Sequence, residues 1–164
     1  MQAASQTKAS IIYFSLQEDN LIVHKHISNG GIAIFLKDNY ITLATGNGLL
    51  KSLSIVQIPA AYGGKLKYNI ENCLAAFSAA YALNIPLQII ERALASFYCN
   101  EIHNPGRFNI FNIRDFRVVV DYGHNLAGYT SVTEAVKKMG GSRLIGIIGT
   151  PGDRRDSSVH SVGK

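Results

Sequence analysis

FRVVVDYGHNLAGYTSVTEAVKKMGGSRLIGIIG, residues 116–149, is the stretch on which the fold turns. Phe116 to Val120 is a nearly continuous apolar run of strand length. Leu126, Tyr129, Val132, Val136 and Met139 then recur at helical spacing, and Gly140-Gly141 closes the helix. Leu144 to Ile148 is a second apolar run of strand type. Strand, helix and strand in this compass predict a βαβ unit whose two strands are parallel. In an open parallel sheet, ligands sit outside the carboxyl ends of the strands. Asp121, Tyr122, Gly123, His124 and Asn125 follow the first strand at that rim, and Gly149 to Asp153 follow the second.

The rim residues carry usable chemistry. Asp121 is placed to accept hydrogen bonds from ribose hydroxyls. His124 and Asn125 are placed to contact base or phosphate beside a helix N-terminus, which favours anions. The same residues also suit a turn and a helix cap, and the sequence leaves both roles open. The GTPGDRRD segment, 149–156, has glycines for a tight loop and Arg154 and Arg155 to grip carboxylate or phosphate. It is not G-x-x-x-x-G-K-[ST], so it is no P-loop, and a solvated turn with Asp156 as a cap is its plainer reading. Arg107, in the PGRF segment 105–108, either reaches into a cleft between domains or lies on the surface.

Upstream, Ser10 to Ser15, Leu21 to His26, Ile32 to Leu36, Tyr40 to Ala44 and Ser54 to Ile58 read as strands. Lys37-Asp38-Asn39 reads as a hairpin turn, because Asp and Asn tolerate positive φ. Asn69 is the expected cap of a helix, with Glu71 in its first turn and Ile70, Cys73, Leu74, Phe77 and Tyr81 on its apolar face. Asn84 and Pro86 end it, and Pro86 opens a second helix with Ile89, Ile90, Ala93, Leu94 and Phe97 on one face. Tyr98 to Gly106 is polar and carries Pro-Gly, which marks a linker. His24 and His26 would share one face of a strand, without a carboxylate or thiol to complete a metal site.

Composition bounds the rest. The 164 residues are 47% hydrophobic, which excludes wholesale disorder, and hold 16% charged residues with a net charge of +5. That excess is scattered, so it fits weak attraction for anionic ligands such as nucleotides and no nucleic-acid interface. Cys73 and Cys99 have no metal or disulfide spacing, Cys73 belonging to the core. No run approaches the roughly 18 apolar residues of a membrane helix, and the first ten residues are no signal peptide. The expected setting is the cytoplasm, away from membranes.

Taken together, KYNIENCLAAFSAAYAL (67–83), NPGRFNIF (104–111), FRVVVDYGHNLAG (116–128) and IGIIGTPGDRRD (145–156) resemble the Mur ligase family in order and spacing. YFSL (13–16) and GGIAIF (30–35) add to the likeness, which is greatest to the branch that builds an aspartate backbone with arginine side branches. The family joins a carboxylate to an amine: ATP phosphorylates the carboxylate, the amine attacks the acyl phosphate, and phosphate leaves. The resemblance implies an α/β fold, with the end of a central ATP-binding domain over 1–98, a linker over 99–106, and the first βαβ unit of a Rossmann-like C-terminal domain over 107–164.

It also implies roles. Asn72 would lie near adenine, Arg107 would reach the ATP phosphates, Asp121 would bind ribose with His124 and Asn125 beside the nucleotide, and Arg154 and Arg155 would border the substrate cleft. The cofactors implied are ATP and Mg²⁺, with the metal ligands and phosphate loop expected upstream of residue 1. The implied partners are a nucleotide and an amino-acid or polypeptide substrate. Without the phosphate loop, the 164 residues are expected to be inactive alone. A two-stranded sheet is also expected to leave an edge open to self-association. A segment of a peptidoglycan Mur ligase or folylpolyglutamate synthase is the alternative within the family. A non-catalytic nucleotide-binding remnant is the alternative outside enzymes. Where the family has D-Y-A-H-N-P-A, this chain has Gly123 for alanine and Leu126 for proline.

Overall fold

The computed structural model describes residues 5–149, so Arg154 and Arg155 lie outside the described residues. The chain divides into two compact units: Met1–Gly64 with Tyr68–Phe97, and Lys65–Lys67 with Tyr98–Lys164.

The first unit is built on a four-stranded sheet in the order β1-β2-β3-β4. Its strands are β1 (Ile12–Ser15), β2 (Ile32–Lys37), β3 (Tyr40–Thr45) and β4 (Gly48–Ser54). β1 runs parallel to β2, with Ile12 opposite Ile32; the other neighbours are antiparallel. The β2–β3 turn has Asp38 and Asn39 at φ 49° and 64°, as their side chains lead one to expect. Across this hairpin end, Lys51 Nζ lies 2.8 Å from Asp38 Oδ2. That hydrogen bond and charge hold the Asp38 carboxyl below its ordinary pKa and raise that of Lys51.

Residues 21–26 are helical, against the expectation of a strand. α1 spans Leu21–Ser28, and the Asn20 side chain caps it by accepting from the backbone N–H groups of Ile22 and Val23. Helical spacing puts Val23 and Ile27 on one stripe, where they pack on Tyr13, Ala33, Phe35 and Ala44 of the sheet, while Leu21 is 84% exposed. A strand would have put Leu21 and Lys25 on the same face as Val23. His24 and His26 therefore share no face. His26 turns inward, its Nε2 donating to the Ile11 carbonyl at 3.0 Å and its ring edge-on to Tyr13. β1, α1 and β2 thus make a parallel βαβ unit, in a place the sequence did not reveal.

The expected strand at 54–58 is also corrected. β4 ends at Ser54, and Ile55–Gln57 and Pro59–Ala61 are short 3₁₀ turns with Tyr62 at φ 48°. Pro59 has no N–H for a sheet ladder and fits the first position of such a turn.

α2 (Lys67–Ala82) and α3 (Leu87–Ser96) follow. α2 begins before Asn69, which is buried inside it and donates from Nδ2 to the Ala60 carbonyl at 2.8 Å. Asn69 therefore anchors the helix to the preceding turn instead of capping it, and Glu71 falls beyond the first turn. α2 ends in a Schellman arrangement: Asn84 has φ 59°, its N–H bonds the Tyr81 carbonyl, and the Ile85 N–H bonds the Ala80 carbonyl. On α3 the burial centres on Ile90, whereas Ile89, Ala93 and Phe97 are exposed, so the apolar face is narrower than its spacing predicts.

The second unit opens with turns at 98–108. Asn100 Oδ1 accepts from the N–H groups of Ile102 and His103, so the start of this segment is a hydrogen-bonded turn. A hairpin follows: β5 (Asn109–Ile113) pairs antiparallel with β6 (Phe116–Val120) through a tight turn at Arg114, φ 53°. β6 lies where the sequence puts it; β5, unforeseen, is its partner. α4 (Leu126–Lys138) comes next. Arg117 of β6 donates to the Met139 and Gly140 carbonyls at 3.2 and 2.9 Å, closing the end of α4 that needs acceptors satisfied.

The parallel partner expected at 144–148 is not a strand. Residues 143–149 have no ladder, and Ile147 is 99% exposed. An apolar run becomes a strand only when another strand takes its backbone groups and a layer covers its side chains, and neither is provided among the described residues.

Candidate functional site

The site residues of the second unit are brought together by the hairpin register. Asn109 pairs with Val120, so the PGRF turn that precedes β5 and the DYGHN loop that follows β6 meet at one end of the ladder. The Tyr122 N–H donates to the Gly106 carbonyl at 2.7 Å and joins the two segments directly.

The turn before β5 is built around Asn109, which is 2% exposed. Its Oδ1 accepts from the Gly106 N–H at 2.6 Å, and its Nδ2 donates to the Asn104 and Arg107 carbonyls at 3.0 and 3.4 Å. Phe108 has φ 53°, a costly backbone for a bulky side chain, and its ring is wholly buried. Its N–H donates to Asp121 Oδ2 at 3.0 Å. Asp121 thus locks the corner.

Above this corner, the Arg107 guanidinium stands 5.3 Å from the centre of the Tyr122 ring, a cation–π arrangement that holds the charge at the surface. His124 Nδ1 donates to the Tyr122 carbonyl at 3.3 Å, and Asn125 Nδ2 donates to His124 Nε2 at 3.4 Å. This network assigns the ring hydrogen to Nδ1. Asn125 Oδ1 also accepts from the Gly128 N–H at 2.8 Å and caps α4. The helix therefore starts at Leu126 without a proline. A Cβ on Gly128 would come within 3.3 Å of the capping oxygen, so glycine leaves room for the cap.

Arg107, Asp121, His124 and Asn125 thus lie in one corner: a cation, a carboxylate, an imidazole with a defined tautomer and an amide. This donor and acceptor set suits a nucleotide, with a guanidinium for phosphate and a carboxylate for ribose hydroxyls. Asn72 belongs to the first unit, exposed on α2 beside Glu71. Glu71 lines a shallow hollow of about 390 Å³ with Phe14, Ser15, Leu16 and Gln17, at the carboxyl end of β1. Mg²⁺ finds no matching ligand set, since no group of three or more His, Cys, Asp or Glu side chains gathers among the described residues. No helix among those residues is long and apolar enough to cross a membrane.

Asn109 is a site residue that sequence reasoning passed over, while Tyr122 and Tyr129 were placed at the rim and on the helix without a role. Asn109 had a signal: an Asx residue three positions after Pro-Gly is of the type that bonds a turn's backbone. The two tyrosines had none, because their roles depend on the loops meeting.

Residues 106–164 match the Mur ligase, glutamate ligase domain family. Over 161 residues, 98% of the chain, the sequence is 38% identical to cyanophycin synthetase of Crocosphaera subtropica, of which it covers 18%. It is 37% identical over 163 residues to cyanophycin synthetase of Geminocystis herdmanii, again covering 18%. It is 29% identical over 162 residues to UDP-N-acetylmuramoyl-L-alanyl-D-glutamate–2,6-diaminopimelate ligase of Alkaliphilus metalliredigens, covering 29%. The chain therefore spans about 18% of the length of these cyanophycin synthetases. Residues 106–164 belong to the Mur ligase C-terminal domain family, and the chain as a whole is homologous to a segment of cyanophycin synthetase.

Proposed function

We propose that this chain is a nucleotide-contacting segment of an ATP-dependent carboxylate–amine ligase of the cyanophycin synthetase kind. The observation that carries the reading is the convergence of Arg107, Asp121, His124 and Asn125 at one end of the β5–β6 hairpin, within the part that matches the ligase domain family. Asp121 accepts from ribose hydroxyls, Arg107 neutralises phosphate oxygens, and His124 and Asn125 border the nucleotide. In the ligase reaction these groups bind and orient ATP while its γ-phosphate passes to a carboxylate and an amine displaces it. The amine is proposed to be arginine, added to a poly-aspartate chain. Residues 1–98 and 107–164 are proposed to be parts of the central and C-terminal domains, joined through 99–106.

Identities of 37–38% to cyanophycin synthetases, against 29% to the diaminopimelate ligase, favour the first branch over a peptidoglycan ligase. The 164 residues hold no G-x-x-x-x-G-K-[ST] sequence and no Mg²⁺ ligand set among the described residues. Turnover by these residues alone is therefore not expected. Calorimetric titration of ATP into the wild-type chain and D121A tests the nucleotide site. Binding that D121A weakens about tenfold supports it, as the loss of roughly 1.4 kcal/mol. Equal binding by both proteins removes Asp121 from the site, and no binding by folded wild type leaves the ligase relation as ancestry.

A further inference from the structure

Tyr129 stands on the first turns of α4, and its hydroxyl donates to the Gly149 carbonyl, twenty residues on. Gly149 is the residue at which the chain enters the GTPGDRRD segment. The Tyr129 ring reaches it by passing over Gly123 in the DYGHN loop. A Cβ built on Gly123 would lie 3.1 Å from Tyr129 Cε1 and 3.2 Å from Cδ1, closer than ordinary van der Waals contact. The same Cβ would be 3.6 Å from Asp121 Oδ1. Gly123 does not have the positive φ that would itself call for glycine. A methyl group there would press on the tyrosine ring, which would have to give by a few tenths of an ångström.

We propose that Tyr129 is a positioning residue that ties Gly149 to the DYGHN loop, and that Gly123 is its size-matched partner. The arrangement is mechanical. Asn125 fixes the start of α4, and α4 fixes Tyr129. Tyr129 then holds Gly149 beside the loop that carries Asp121 and His124. Gly149 and the DYGHN loop are registered through one hydroxyl. Any effect of this tie on ligand binding rests on the nucleotide site proposed above.

The test uses the full chain labelled with ¹³C and ¹⁵N, as wild type, Y129F, G123A and the double variant. The Gly149 carbonyl shift reads the hydrogen bond directly, and ATP titration reads its effect on the site. The expected result is an upfield move of the Gly149 carbonyl in Y129F, a similar move in G123A because the ring is displaced, and no further move in the double variant. ATP binding is expected to weaken about fivefold in both single variants, equivalent to roughly 1 kcal/mol for one hydrogen bond. An unchanged Gly149 carbonyl in Y129F overturns the tie. Additive shifts in the double variant overturn the pairing with Gly123. A moved carbonyl with unchanged ATP affinity overturns the positioning role. If wild type binds no ATP, the nucleotide reading fails by itself, and the carbonyl shifts still decide the tie.

Discussion

Replacing Asn109 tests how the corner that carries Arg107 and Asp121 is held. The side chain is buried and makes bonds of 2.6 and 3.0 Å with a longer one of 3.4 Å. Each of the two shorter bonds is worth about 1 kcal/mol net, and leaving the Gly106 N–H without an acceptor adds about 1–2 kcal/mol. N109A is therefore expected to destabilise the second unit by about 3–4 kcal/mol, or on the order of 10–30 °C in melting temperature for a unit of this size. The chain has two units, so one melting curve would blend them. Native-state hydrogen exchange separates them: protection in β5, β6 and α4 should fall, and protection in β2 and β3 should not. N109D sharpens the test. It keeps the acceptor for Gly106 but turns a carboxylate oxygen toward the Asn104 and Arg107 carbonyls. Its folded pKa is then raised above the ordinary value near 3.9. The penalty is full above the raised pKa and disappears as pH falls below the unfolded value. Undiminished protection of β5 and β6 in N109A would refute this account of the corner.

Further outcomes follow from the same structure. R117Q should weaken the second unit by about 1 kcal/mol in chemical denaturation, because the α4 carbonyls at 139 and 140 lose a charged donor. The Asp38–Lys51 pair should add a small, salt-sensitive stability to the first unit. With the Asp38 pKa lowered, its share is present above the unfolded value and lost as pH falls through the folded one; with the Lys51 pKa raised, its share is lost as pH rises through the folded value. Urea midpoints of wild type and K51M should converge at both pH extremes and in high salt. The exposed Ile145, Ile147 and Ile148, together with the open edges of the two-stranded sheet, should give concentration-dependent association. Sedimentation showing only monomer at high concentration would count against it.

What the sequence made legible was local. The Asp38-Asn39 turn is set by the φ those residues tolerate, and α2 and α4 by long helical periodicity. β6 was plain from Val118 to Val120. Residues 21–26 were not, because a short apolar segment fits either period, and the deciding facts were Asn20 before it and Asn29-Gly30 after it. β5 hid in NIFNI, a five-residue run with two asparagines that gives no clear strand pattern until its partner strand is known. Residues 144–148 misled for the opposite reason: apolar composition states a capacity for burial, and only a partner realises it. In the site, the position of Asp121 after a strand was readable. Its bond to Phe108 and the stacking of Arg107 on Tyr122 were not, because both depend on how residues far apart in sequence pair.

The β5–β6 ladder also constrains how this part of the chain can change in length. Asn109 and Val120 face each other across it, so the residues of the two strands are counted in pairs. Removing one residue from a strand would turn the following side chains to the opposite face and separate Phe108 from Asp121. Removing a facing pair would shorten the hairpin and leave its open end intact. Natural variation here should therefore arrive as even-numbered insertions and deletions at the Arg114 end, with the spacing from Gly106 to Phe108 and from Asp121 to Asn125 left unaltered.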